Sequence, residues 1–147
     1  MGGEGMFSPE LLELAGEAAL GLTWSTLDLS AVGTGYERFL ARYEGRYGEL
    51  PVTPFHAYAY DAAQLIWRAI EKVAVRGENG AMQIGRQALL EALYAARSVE
   101  GLTGRLSCRP NGDCADARGS IYRCTANDPA RWNPGEGPEN NPRRVWP

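Results

Sequence analysis

A chain of 147 residues, 44% hydrophobic and 22% charged, carries enough apolar material for the core of an ordinary domain and is not compositionally disordered. Its formal charge of -3 gives it no bulk attraction for nucleic acid or an anionic membrane. No apolar run approaches the roughly 18 residues that span a bilayer, and the first residues lack the basic and apolar regions of a signal peptide.

Met1-Gly2-Gly3-Glu4-Gly5 is a glycine-rich loop with a single acid, and it runs into a helix start. Ser8 is a candidate N-cap, and Pro9 suits the first helical position. Leu11, Leu12 and Leu14 give an apolar face, and Gly16 a left-handed stop. A loop of this kind is how a ligand-facing loop inside an α/β domain looks, so a strand is expected before it. A short strand is predicted over roughly 19–26, on the β-formers Leu22, Thr23 and Trp24.

Residues 28–34 read as a polar connection. Tyr36, Phe39, Leu40 and Tyr43 then recur at helical spacing and predict an amphipathic helix over 35–47, closed by Gly48. Thr53 and Pro54 repeat the cap-then-proline signal and open the longest helix, about 54–75. Its Tyr60, Ala63, Leu65, Ile66, Ala69, Ile70 and Val73 form a broad apolar stripe that is expected to be buried. After a loop at 77–80, a further helix is predicted over about 84–97, with Leu89, Leu90, Leu93 and Tyr94 facing inward.

The pattern then changes to a strand over 102–108, a turn at 110–113 and a second strand over 120–124. From Thr125 onward Pro, Gly and Asn dominate, which predicts an irregular tail, held by Trp132 and Trp146 or partly loose. The helices have apolar faces but too little sheet to pack on. This inventory points to part of a larger α/β protein.

Cys108, Cys114 and Cys124 do not form a four-ligand zinc pattern, and the single histidine, His56, is far from them in sequence. No metal and no cofactor are expected. Two readings of the cysteines stand open. In one, a disulfide forms, with Cys108 and Cys114 as the candidate pair across the Asn111-Gly112 turn and Cys124 the odd thiol, which implies an oxidising compartment. In the other, all three are reduced, half-buried thiols. Asp113 and Asp116 read as turn aspartates, and Glu10 and Glu13 as dipole compensation. There is no nucleophile elbow, phosphate loop, histidine-containing triad or dinucleotide fingerprint, so no enzyme is expected.

Residues 1–124 resemble the C-terminal third of type I periplasmic solute-binding proteins, in particular the leucine/isoleucine/valine-binding branch of ABC transporter receptors. Four segments carry the resemblance: Met1-Gly2-Gly3-Glu4-Gly5 with Leu14-Ala15-Gly16-Glu17-Ala18-Ala19-Leu20-Gly21; Phe39-Leu40-Ala41-Arg42-Tyr43; Phe55 to Ile70 around Tyr60-Asp61-Ala62; and Gly101-Leu102-Thr103-Gly104-Arg105-Leu106 with Asn111-Gly112-Asp113. The family's usual large aromatic is replaced here by Cys108. The resemblance implies a partial two-lobed α/β fold over 1–124, with 125–147 as a separate Pro/Gly/Asn-rich tail and the first two-thirds absent. It further implies binding of a small amino acid or amide by lobe closure, outside the cytoplasmic membrane, on a protein that serves an ABC permease and can be lipid-anchored.

The resemblance also assigns roles to residues. Glu4 takes the ligand's ammonium group, Gly5 lets the backbone come close, and Phe55 covers an apolar ligand side chain, with Tyr58 a further contact. A charge-assisted bond suits Glu4, and a large apolar ring suits Phe55. His56 reads as a surface histidine at the helix start. Two alternatives are a ligand-sensing receptor domain of the same fold and a small, self-contained α+β domain that dimerises through its apolar helix faces.

Overall fold

The structure, a computed structural model, describes residues 1–28, 35–51, 55–115 and 118–146. The predicted connection at 29–34, the cap Thr53-Pro54 and Asp116 lie outside the described residues. The chain divides into two units, the first drawn from 1–31, 51–54 and 117–147, the second from 32–50 and 55–116.

In the first unit, helix α1 spans Pro9–Ala15 and ends at Gly16, whose φ of 52° is in the region that favours glycine. Ser8 sits at the N-cap position, but its side chain makes no capping bond to the backbone. It bonds the Glu10 carboxylate instead, and this is the main cause holding Glu10 below the usual carboxylate range. The strand expected from residue 19 begins later, because Gly16–Ala19 forms a 3-10 turn that buries Ala19. Strand β1 is Thr23–Leu27.

The second unit holds α2 (Gly35–Tyr47), α3 (Phe55–Val73), the short strands β2 (Val75–Arg76) and β3 (Met82–Gln83), and α4 (Arg86–Tyr94). The hairpin β4 (Val99–Gly101) and β5 (Gly104–Leu106) follows. The chain then returns to the first unit with β6 (Gly119–Arg123) and β7 (Arg143–Trp146).

The sheet of the first unit has the antiparallel order β1-β6-β7. The expected strand at 120–124 is therefore β6, but its partners are β1 and β7 and not the strand before the 110–113 turn. Alternation along β1 and β6 buries Trp24 opposite Tyr122, which face each other in register. Phe7 stands 6.0 Å from Trp24, 5.2 Å from Tyr122 and 5.0 Å from Trp132, ring centre to ring centre. Leu12, Ala19 and Cys124 complete this core. Burial raises the Cys124 thiol above its ordinary value, and the thiol bonds the Ala126 carbonyl at 3.2 Å.

The residues after 125 belong to this unit as well. Trp132 packs in the aromatic cluster as expected, but Trp146 is exposed on β7. The main fastener is Asn141, which is 1% exposed. Its side-chain oxygen accepts from the backbone N–H of Thr125 (2.8 Å) and Ala126 (3.0 Å), and its NH2 donates to Ala126 O (2.9 Å). Arg144 adds ion pairs to Asp28 (2.8 Å) and to Glu136.

In the second unit the predicted apolar faces are only partly covered. On α3 the buried residues are Ala57, Asp61, Leu65 and Ala69, a row at every fourth position. Ala63 is exposed, as are Tyr60 and Ile66, and Ile70 and Val73 are half-buried. A row this narrow is the width that one side of packing can cover, here α4 and the β4–β5 hairpin. Likewise Leu89 and Leu93 of α4 are half-buried, while Leu90 and Tyr94 are exposed. Leu65, Leu106 and Cys108 form the small core, with Leu93, Ala96 and Val99 against it. Cys108 is bonded to Cys114, S–S 2.13 Å, and Cys124 is free. Among the described residues no helix is long and apolar enough to cross a membrane.

Candidate functional site

The acid-bearing loop is fixed at both ends. Gly2 runs parallel to β1: its N–H donates to Thr23 O at 2.8 Å, and its carbonyl accepts from Ser25 N–H at 3.0 Å. A Cβ on Gly2 would stand 2.8 Å from Met6 Sδ and 3.3 Å from the Trp24 ring, so a larger residue there would press on the Trp24 ring and push the Met6 side chain aside. Phe7, at the other end, is buried in the aromatic core. Between the two anchors, Glu4–Met6 forms one 3-10 turn, closed by Phe7 N–H to Glu4 O at 2.9 Å.

Glu4 and Gly5 therefore stand out from a braced turn, and both are exposed. Among the described residues no cation or donor meets the Glu4 carboxylate, and a Cβ on Gly5 would meet nothing within 4 Å. A carboxylate on a rigid turn, with open space beside its backbone, is suited to receive a cation closely.

Phe55 and Tyr58 lie in the second unit, on the first turn of α3. Phe55 is 42% exposed. Tyr58 is half-buried and lines a groove of about 500 Å³ with Leu65, Ile66, Leu90 and Tyr94. His56 departs from the surface reading. Its Nε2 is 2.8 Å from the Tyr36 hydroxyl, and its ring is stacked near those of Tyr36 (5.6 Å) and Phe39 (5.7 Å). Burial raises the Tyr36 phenol above its ordinary value.

One residue that organises this unit escaped the sequence reading except as part of a motif. Asp61 is 3% exposed, and its side-chain oxygens accept from Leu102 N–H (2.7 Å), Thr103 N–H (2.8 Å) and the Thr103 hydroxyl (2.7 Å). A Cβ on Gly101 would lie 2.6 Å from an Asp61 oxygen. The Tyr60-Asp61-Ala62 segment and the Gly101-Leu102-Thr103-Gly104 segment are thus two halves of one clasp. The available signal was position: Asp61 stands four residues before Leu65 and eight before Ala69, in the buried row of α3. Among the described residues no cluster of His, Cys, Asp and Glu is arranged to hold a metal ion.

The chain matches the periplasmic binding protein family over residues 1–129 and belongs to that family, one of solute-binding proteins and not of enzymes. Its helices, short strands and crossover are part of the type I periplasmic binding fold. The chain resembles the leucine-binding protein LivK of Thermotoga maritima, with 26% identity and a TM-score of 0.65, over 86% of this chain and 34% of that one. The fold is shared with LivJ of Streptococcus pneumoniae, solved in complex with isoleucine, at 22% identity and a TM-score of 0.61, over 99% of this chain and 36% of that one. It is also shared with an ABC transporter substrate-binding protein of Desulfitobacterium hafniense solved with leucine, at 21% identity and a TM-score of 0.56, over 75% and 30% of the two chains. The chain spans about a third of the length of these proteins. No curated protein matches it significantly.

Proposed function

We propose that this chain serves the extracytoplasmic binding of an amino acid of the branched-chain type, on behalf of an ABC transporter, in a protein that binds by closure of its two lobes. The observation that carries this reading is the likeness to the leucine-binding protein of Thermotoga maritima over 86% of the chain. The braced turn supports the roles of Glu4 and Gly5, and the family likeness those of Phe55 and Tyr58. The Glu4 carboxylate pairs with the ligand's ammonium group, Gly5 leaves room for close approach, Phe55 covers the apolar side chain, and Tyr58 adds a further contact. The family match supports a location outside the cytoplasmic membrane, and the permease is the partner of the complete protein.

The test is a graft of the whole 147-residue chain in place of the matching third of the Thermotoga maritima protein, titrated with leucine and isoleucine by calorimetry. The graft is expected to bind leucine, and Glu4→Gln to weaken it at least tenfold, about 1.4 kcal/mol or more for a lost charge-assisted bond. A folded graft that ignores both ligands would remove the branched-chain reading. Unchanged affinity in Glu4→Gln would remove only the role of Glu4.

A further inference from the structure

Between α2 and the start of α3, within the second unit, lies a groove of about 960 Å³. Its lining includes the rings of Phe39, Tyr43 and Tyr47 from α2 and of Tyr60 from α3. Beside the α2 rings, on the same helix, it also includes Arg38, Arg42 and Arg46. These arginines recur every fourth residue along α2, so they share one face, with about 6 Å per step and about 12 Å from first to last. Like charges at this spacing destabilise a helix. Nothing in the second unit offsets them: among the described residues none of the three is in an ion pair, and Glu37 and Glu44 project from the other side of the helix. No residue of α2 is buried. What sets α2 apart is the clustering, three cations on one face of a single helix in a chain of net charge -3.

We propose that this groove docks an acidic segment of a partner protein, one that presents carboxylates along a single helical face and an apolar side chain toward Tyr43 and Tyr47. The length of the row selects the occupant. A single carboxylate or phosphate reaches one or two of the guanidinium groups, and a flat membrane surface does not enter a groove. A second copy of this chain offers Glu10, Glu13 and Glu17, but its helix there is only the seven residues Pro9–Ala15, too short for three matched turns. The proposal stands independently of the amino-acid-binding reading.

The probe is a labelled peptide of about four helical turns with Glu at every fourth position and one Leu, added to the 147-residue chain and followed by fluorescence anisotropy. Binding is expected to weaken as salt rises and to fall about tenfold in Arg42→Gln. It is expected to vanish in the triple Arg38→Gln, Arg42→Gln, Arg46→Gln variant, which melts no lower than the parent because the like-charge row is relieved. If the triple variant does not fold, Arg42→Glu is paired with a peptide whose central Glu is Lys, and that pair is expected to restore binding. No binding, or equal binding of a peptide with the same residues reordered off one face, overturns the proposal. So does salt-sensitive capture by phosphatidylserine vesicles in place of the peptide, or self-association in ultracentrifugation that the triple variant abolishes.

Discussion

Asp61 occupies a position that the apolar periodicity of α3 would give to a leucine. Its acceptors close the turn at Leu102 and Thr103, whose backbone N–H groups have no other partner in the hairpin. Removing the acceptor strands buried donors at about 1–3 kcal/mol each. Asp61→Ala is therefore expected to destabilise the protein by about 3 kcal/mol in urea unfolding. Gly101→Ala is expected to destabilise it too, because its Cβ would collide with the Asp61 oxygens, and the two changes together should cost less than their sum. Full additivity would mean the clasp is not the shared cause. The motif letters around Asp61 were legible as a resemblance, yet the bond they make was not, because it joins residues 41 apart in sequence. His56 was misread for a similar reason: its partners Tyr36 and Phe39 sit on another helix. Glu4 and Gly5 were easier to single out, since a lone acid among glycines is visible without any tertiary knowledge.

Helix α2 rests on α3 through rings, with Tyr36, Phe39, His56 and Tyr60 in contact. The Tyr36 phenol is raised by burial, so the folded state holds its proton to higher pH than the unfolded chain does. The contribution is complete below the unfolded value of about 10 and is lost as pH rises through the folded value. Unfolding measured from about pH 9 to pH 11 is expected to show a steeper loss of stability in the parent than in Tyr36→Phe. Parallel curves would take the effect away from Tyr36. The Cys108–Cys114 bond closes a loop with a sequence separation of 6, and its reduction is expected to lower stability by about 2 kcal/mol. Alkylation of the unfolded chain without reductant, followed by intact mass, is expected to mark one thiol, and three after reduction. Three marks without reductant would mean the bond does not form. The boundaries of α2 were readable because Tyr36, Phe39, Leu40 and Tyr43 recur at i, i+3, i+4 and i+7 and Gly48 follows as a stop. The width of the buried row on α3 was not, since periodicity tells which side is apolar and not how many neighbours cover it.

Across the whole chain, the order of segments was more legible than their pairing. The helices and the strand expected over 120–124 follow from local pattern, whereas the pairing of that strand with β1, about a hundred residues earlier, leaves no trace in the sequence. The strands of two to four residues, β2, β3, β4 and β7, are too short to leave a periodic trace. The Pro/Gly/Asn composition after Thr125 signalled an absence of regular structure and hid the role of Asn141, whose four bonds come from one amide. The antiparallel pairing of Thr23 with Arg123 has one more consequence, in the order in which the chain can fold. Closing about a hundred residues is slow beside the local contacts within 55–115, which can form while the rest is still being synthesised. Strand β1 cannot meet its partner β6 until residues 119–123 have left the ribosome.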